Sequence, residues 1–259
     1  FLGQANSNQN LGLYQTKDKG VTYQKIFSFL TNDRRNLSLS ITKNTPSDTS
    51  EIYVLEQLSA STSRLHKMDT NQEKLELIEP FSPVSYNQGE GNLVTVNSDS
   101  TTIFYALSRG DSAKLHVSTD QGETWIEKST LPTSPWGVGL FVSAENPDYL
   151  MYGDIECYRS FDGGGTWEMT NGWGEYYGDV INKLHADMMY FSDYKDVDTD
   201  QYFMLISNHG GISIMETYDQ EPKNIALTGL NVSQYYSVRT HPSDEKYIYA
   251  GSQDQGFQR

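Results

Sequence analysis

The stretch Asn171-Gly172-Trp173-Gly174-Glu175-Tyr176-Tyr177-Gly178-Asp179 holds residue types that bind sugars. Trp173, Tyr176 and Tyr177 offer flat apolar faces that stack on a sugar ring. Glu175 and Asp179 offer acceptors for its hydroxyls. A second Gly-flanked aromatic, Trp136, lies in Pro135-Trp136-Gly137, and the phrase Leu184-His185-Ala186-Asp187 follows the first cluster. On a strand, His185 and Asp187 point to one face. The expectation is that Trp136, Trp173, Tyr176 and Tyr177 gather near Glu175, Asp179, His185 and Asp187. Such a site would bind a saccharide. With two carboxylates facing each other roughly 5 to 10 Å apart across a glycosidic bond, it would do acid–base work. The same residues have a plainer reading: aromatics covering the protein's own surface, and a buried polar pair holding strands together.

The densest acidic run is Asp193-Tyr194-Lys195-Asp196-Val197-Asp198-Thr199-Asp200. Alternating carboxylates at Asp196, Asp198 and Asp200 could converge on calcium, the one cofactor the sequence suggests. Gln201 stands where a calcium loop of the helix–loop–helix type wants Gly, so a solvated hairpin loop is the stronger expectation. Metal-binding His pairs at helical spacing and the nucleophile phrase G-x-S-x-G are absent. Cys157, the single cysteine, sits in a strand-like run with no His near it in sequence. It reads as a buried structural thiol, and it excludes an internal disulfide framework.

The elements that must carry these residues are announced by repetition. Ser118-Thr119-Asp120-Gln121-Gly122-Glu123-Thr124-Trp125 and Ser160-Phe161-Asp162-Gly163-Gly164-Gly165-Thr166-Trp167 share the frame S-x-D-x-G-x-T-W. Thr16-Lys17-Asp18-Lys19-Gly20-Val21-Thr22-Tyr23 repeats it with Thr for Ser and Tyr for Trp. Asp18, Asp120 and Asp162 can accept from nearby backbone N–H groups in a tight turn. Gly20, Gly122 and Gly164 supply a backbone angle that residues with a Cβ avoid. Tyr23, Trp125 and Trp167 are expected to pin each turn to the core. Leu65-His66-Lys67-Met68-Asp69 and Ile214-Met215-Glu216-Thr217-Tyr218-Asp219 look like eroded copies. Pro46, Asn146-Pro147-Asp148 and Pro242-Ser243-Asp244 each precede an apolar β-rich run.

The three phrases resemble the Asp-box, or BNR repeat. The repeat then reads as four short antiparallel strands with an Asp-box turn before the last, which is the blade of a β-propeller. The fold class expected is all-β, a β-propeller of four-stranded blades, with about five blades' worth in residues 1–259. Phe1-Leu2-Gly3-Gln4 resembles Tyr249-Ala250-Gly251-Ser252, so the chain is expected to begin and end mid-blade within a longer propeller.

Composition agrees and narrows the function. The chain has 18 Tyr and 21 Gly, and helix-periodic stretches are absent. No run approaches the roughly 18 apolar residues of a membrane helix. A net charge of −15 argues against nucleic acid as a partner, since phosphate contacts need Lys and Arg. It also opposes binding to anionic membranes.

A more specific resemblance covers most of residues 136–259. Leu184-His185-Ala186-Asp187, Ser207-Asn208-His209-Gly210-Gly211-Ile212, Gly229-Leu230-Asn231-Val232-Ser233-Gln234-Tyr235-Tyr236 and Gly251-Ser252-Gln253-Asp254-Gln255-Gly256 occur in order. They resemble secreted BNR/VPS10-like propeller proteins of Bacteroidetes-type bacteria and, more distantly, xyloglucanase-like glycoside hydrolases. The chain departs from that pattern at Met189, at His209 and at Gln255, where the family tends to have His, Asp and Asn. The resemblance implies secretion or a cell-surface location, type IX export, and further propeller and sorting domains in a full-length chain. Sialidases also carry Asp-boxes, but they need an arginine cluster, and the seven arginines here are scattered. The function expected is a binding or scaffold module for a polysaccharide or a protein partner. The alternatives are a xyloglucanase-like hydrolase and a structural component of a surface assembly.

Overall fold

The computed structural model describes residues 2–3, 11–30, 37–41, 51–59, 62–69, 74–78, 92–98, 101–108, 112–120, 122–133, 139–143, 145–227, 229, 235–244, 246–253 and 256–258. Trp136 lies outside them. The protein is all-β, and the chain falls into two compact units, Phe1–Met169 and Thr170–Arg259.

In the first unit, β1 (Leu2–Gly3), β2 (Gly12–Gln15) and β3 (Gln24–Ser28) form a three-stranded antiparallel sheet. Three four-stranded sheets follow. They are β4 (Leu37–Ile41) to β7 (Lys74–Ile78), β8 (Asn92–Ser98) to β11 (Ile126–Thr130), and β12 (Leu140–Val142) to β15 (Glu168–Met169). The remaining strands of these sheets are β5 (Glu51–Ser59), β6 (Thr62–Asp69), β9 (Thr101–Ser108), β10 (Lys114–Ser118), β13 (Leu150–Gly153) and β14 (Cys157–Ser160). Within each sheet every strand pairs antiparallel with the next in sequence. The first strands β4, β8 and β12 of successive sheets are neighbours.

Apolar side chains fill the space between sheets. Leu11, Leu13 and Phe29 of the first sheet pack on Val54 and Met68 of the second. Ala113, Leu115 and Leu131 pack on Leu140, Val142, Leu150, Tyr152 and Tyr158. Sheets covered on both faces read as nearly continuous apolar runs, as in Tyr149-Leu150-Met151-Tyr152, all fully buried. Cys157 is buried in β14.

The three eight-residue phrases share one geometry, between the last two strands of their sheets. Asp162 Oδ1 accepts from Thr166 N–H at 2.8 Å and from the Ser160 hydroxyl at 2.8 Å. Asp162 Oδ2 accepts from the Thr166 hydroxyl at 2.8 Å, and Gly164 N–H donates to Ser160 Oγ at 2.9 Å. The same four bonds tie Thr16, Asp18, Gly20 and Thr22, and Ser118, Asp120, Gly122 and Thr124. Gly20, Gly122 and Gly164 have φ of 93°, 89° and 83°. These donors stabilise the ionised carboxylates. The Thr22 hydroxyl holds Asp18 down to about 2, the Thr124 hydroxyl does the same for Asp120, and the Thr166 N–H does so for Asp162.

The glycines also allow sheets to approach. A Cβ on Gly164 would overlap Leu115 Cδ2 of the preceding sheet, and one on Gly122 would stand 2.9 Å from Leu65 Cδ2. Leu65 and Leu115 occupy matching places in β6 and β10, the third strands of successive sheets. The phrase Leu65–Asp69 is strand, and residues 70–73 after it lie outside the described residues.

The aromatic ends of the turns are less buried than the sequence suggests. Trp125 and Trp167 are half-buried, and Tyr23 is 57% exposed. Trp167 does meet the core, edge-on to Tyr152 at 4.9 Å, and its indole N–H donates to Ser129 Oγ at 3.0 Å. Trp125 instead donates to Gly122 O of its own turn at 3.1 Å. The Tyr23 hydroxyl lies over Gly20, 3.0 Å from where a Cβ would be, so its ring closes its own turn.

In the second unit, β16 (Tyr190–Lys195), β17 (Tyr202–Asn208), β18 (Gly211–Met215) and β19 (Lys223–Asn224) form a four-stranded sheet. β20 (Tyr235–Thr240), β21 (Ile248–Ser252) and β22 (Gly256–Gln258) form a three-stranded one. Met204, Ile206 and Asn208 alternate onto the buried face of β17. Residues 216–220 form the turn after β18. Among the described residues, no helix is long and apolar enough to cross a membrane.

Two outcomes follow from the turns. Gly164→Ala should cost about 2–4 kcal/mol, from the left-handed backbone plus the clash with Leu115. Gly20→Ala should cost only about 1–2 kcal/mol, because just a mobile tyrosine tip is in the way; urea unfolding of both variants checks the difference. The depressed aspartates contribute stability that is full above the unfolded-state pKa of about 4. That stability is lost as pH falls toward about 2. The urea midpoint should therefore be flat above pH 5 and drop between pH 4 and 2, less steeply in Asp162→Asn.

Candidate functional site

Residues 173–177 form one short 3-10 turn, Trp173–Tyr177, in the second unit. Gly172 starts it: Glu175 N–H donates to Gly172 O at 3.0 Å, and Glu175 Oε1 accepts from Gly172 N–H at 2.8 Å. Gly178 ends it, donating to Glu175 O at 3.0 Å. Five residues cannot bury two faces, so the turn must be held from below. Asn171 does this from a buried position. Its Nδ2 donates to Leu184 O at 3.1 Å, and its Oδ1 accepts from Leu184 N–H at 3.0 Å. The amide imitates a strand neighbour and brings residue 185 under the turn.

His185 is 4% exposed and lies beneath two tyrosines. The Tyr176 ring meets it edge-on at 4.7 Å and the Tyr177 ring at 5.7 Å. His185 Nδ1 lies 3.3 Å from Ala186 O and Nε2 lies 3.2 Å from the Tyr177 hydroxyl. The protonated Nδ1 donates to the carbonyl, which leaves Nε2 to accept from Tyr177. Trp173 packs edge-on to Tyr177 at 6.0 Å. Gly210 makes room for this: a Cβ there would sit 2.5 Å from His185 Cβ and 3.2 Å from the Tyr176 ring. Above the buried imidazole, Trp173 and Tyr177 remain 47% and 56% exposed.

The carboxylates go elsewhere. Glu175 Oε1 closes its own turn, and Oε2 lies 3.9 Å from Lys183, which also pairs with Glu221 at 3.0 Å. Asp179 accepts from the Asn182 amide and from the N–H groups of Asn182 and Ile181. The Asn182 amide is the main cause that holds Asp179 below its ordinary pKa, so it stays ionised and is a poor proton donor. Asp187 does not share a face with His185. Its φ is +66°, which breaks the strand alternation, and its Oδ2 pairs with His209 Nδ1 at 2.8 Å. Residues 184–189 are irregular backbone alongside 207–209, joined by Met189 N–H to Ser207 O and His209 N–H to Ala186 O.

Asp196, Asp198 and Asp200 do not converge. They lie in the six-residue loop between β16 and β17. Asp196 accepts from the N–H groups of Asp198 and Thr199, while Asp200 pairs with Lys195 at 2.5 Å. Each carboxylate with a neighbour has a local one, which leaves a hairpin loop and no cation cage. Among the described residues, no group of three or more His, Cys, Asp or Glu is arranged to hold a metal ion.

Structure therefore brings together Trp173, Tyr176, Tyr177 and His185, and sets Glu175, Asp179 and Asp187 in separate local networks. Asn171 and Gly210 matter as well. The sequence offers little sign of Asn171, because a lone Asn before Gly reads as an ordinary loop residue.

No family model matches the chain, and no curated protein matches it. Solved structures do. The GH74 xyloglucanase from Xanthomonas campestris is 14% identical, with 97% of this chain and 40% of that one covered, at a TM-score of 0.53. YCF48 bound to a D1 peptide is 12% identical, over 96% and 71%, at 0.46. YCF48 from Cyanidioschyzon merolae is 15% identical, over 86% and 66%, at 0.45. The chain thus spans between two fifths and about seven tenths of these proteins. At such identities the likeness to the xyloglucanase concerns the β-sheet fold alone.

Gly210→Ala should push His185 and Tyr176 apart, lowering the melting temperature and changing the aromatic near-UV circular dichroism. Tyr177→Phe, which keeps the ring but takes the donor from the buried His185 Nε2, should cost about 1–3 kcal/mol and leave the spectrum close to wild type.

Proposed function

We propose that this chain is a run of Asp-box β-propeller blades, exported or surface-exposed, that works as a binding module for a saccharide. Four-stranded meander sheets, matching turns before their last strands and neighbouring first strands all support the propeller reading. The acidic composition supports an extracellular location and disfavours nucleic acid.

One observation carries the binding reading. Trp173 and Tyr177 stay exposed while the residues beneath them, His185 and Asn171, are buried and hydrogen-bonded. Exposed aromatic faces on a fixed base lose little entropy when a sugar ring stacks on them. A loop held on a rigid sheet commonly carries function. A hydrolase would need a protonated carboxyl opposite a second carboxylate. Glu175 and Asp179 are each engaged by their own neighbours, and Asp187 is paired through Oδ2 with His209, so no two of them face each other as an acid–base pair, which supports binding over catalysis.

Glycan-array screening followed by calorimetry tests this. Wild type should bind a glycan, and Trp173→Ala should weaken it about tenfold or more with an unchanged melting temperature. Equal binding by a folded Trp173→Ala variant would overturn the proposal, and a protein partner would then be the reading to pursue.

A further inference from the structure

Two backbone segments of the second unit, 185–187 and 208–210, lie side by side, with His209 N–H donating to Ala186 O at 3.2 Å. Polar side chains from four separate stretches form a chain of contacts at this junction. His209 Nδ1 is 2.8 Å from Asp187 Oδ2 and 3.1 Å from the Gln253 amide nitrogen. Gln253 Oε1 accepts from the Tyr236 hydroxyl at 2.7 Å. Asn208 Oδ1 accepts from Gly210 N–H at 2.8 Å. The aromatic turn is adjacent: a Cβ on Gly210 would stand 3.1 Å from Asn208 Oδ1 and 3.2 Å from the Tyr176 ring.

Two groups at this junction keep unmet capacity. Asn208 is only 9% exposed, and its Nδ2 is buried with no hydrogen-bond partner among the described residues. A buried donor without an acceptor is costly, and native proteins keep few of them. Asp187 holds a left-handed backbone at φ +66°, unfavourable for a residue with a Cβ. Its Oδ2 is engaged by His209, while its Oδ1 accepts no bond from the described residues, and the side chain is 21% exposed. A strained Asp and an orphaned donor on adjoining segments are both features that a bound ligand would account for.

The chemistry of that ligand follows from the pair. A carbonyl only accepts and an ammonium only donates. A hydroxyl does both, so the hydroxyls of one sugar can answer a donor such as Asn208 Nδ2 and an acceptor such as Asp187 Oδ1. The carboxylate also selects by charge. In a chain of net charge −15, a carboxylate or sulfate on the ligand would be repelled at Asp187.

We infer that the junction of 185–187 with 208–210 is the hydroxyl-reading half of the saccharide site, with Asp187 and Asn208 as direct ligands of a neutral sugar. This rests on the aromatic-platform reading above. His209 is a positioning residue: its Nδ1 lies 2.8 Å from Asp187 Oδ2 and holds the carboxylate in one orientation before the sugar arrives, which lowers the entropy cost of binding.

The test uses the full 259-residue chain with neutral gluco- and xylo-oligosaccharides and uronate-containing oligosaccharides of equal length. Wild type should bind the neutral set at least about tenfold more tightly. Asp187→Asn should weaken neutral binding about tenfold and narrow the neutral-over-uronate ratio, an effect that a purely structural role would not produce. Asn208→Asp keeps an acceptor for Gly210 N–H but loses the donor, so it too should weaken binding. It stands in, with the wild-type ratio, if Asp187→Asn fails to fold. A wild-type preference for uronates, or unchanged affinity in both folded variants, overturns the inference, and the aromatic platform survives if Trp173→Ala still abolishes binding. No glycan binding by folded wild type, or binding that persists in Trp173→Ala, overturns the platform and this inference with it.

Discussion

Two sheets of the first unit can stack on their predecessors because a glycine in the turn lets a leucine of the preceding sheet come close. Gly164 receives Leu115, and Gly122 receives Leu65. The turn must hold φ near +85° to present that gap, and the Ser–Asp–Thr hydrogen bonds hold it there. Local polar bonds therefore set the spacing at which apolar side chains pack. The Thr16–Tyr23 turn makes the same bonds although Tyr23 is largely exposed. The turn is self-sufficient, and packing uses it.

Apolar burial between short sheets does not by itself fix their register, and buried polar side chains complete the job. Glu56, 1% exposed, accepts from Leu30 N–H at 2.5 Å and from His66 Nε2 at 3.0 Å. Phe27 and Phe29 flank the imidazole. One carboxylate thus ties the end of the first sheet to two strands of the second, and it stays tolerable only while all its partners remain in place. Asn171 and Asn224 act the same way in the second unit. Asn224 Oδ1 accepts from Ala226 N–H at 2.9 Å, and its Nδ2 lies 3.3 Å from Gly210 O. Side-chain amides replace ladder bonds where the strands end, and the aromatic turn rests on that substitution.

The large negative charge is distributed in the same spirit. Many carboxylates serve as acceptors for turns: Asp18, Asp120 and Asp162 in the repeats, Asp179 and Asp196 in loops. Others pair across strands, as Glu168 does with Arg159 and Glu127 with Lys114. Exposed pairs of this kind contribute little stability. Part of the acidity is thus a requirement of turn geometry.

The amino-acid sequence alone determined the all-β class and the places where the chain turns. Both depend on local chemistry: Asp, Gly and a following hydroxyl at fixed offsets bond within eight residues, whatever surrounds them. It also marked Trp173, Tyr176, Tyr177 and His185 as residues that belong together, because they are close in sequence. Tertiary structure alone decided the fate of the polar groups. Asp187 pairs with His209, and Gln253 lies against that imidazole from 44 residues further on, and no periodicity encodes such a meeting. A strand pattern placed His185 and Asp187 on one face, but a left-handed residue removed that relation. Spacing likewise suggested that Asp196, Asp198 and Asp200 could share a cation, whereas Lys195 and the loop's own N–H groups reach Asp200 and Asp196. Hydrogen-bond partners are chosen by proximity in space, and a sequence specifies proximity only as far as its local turns reach.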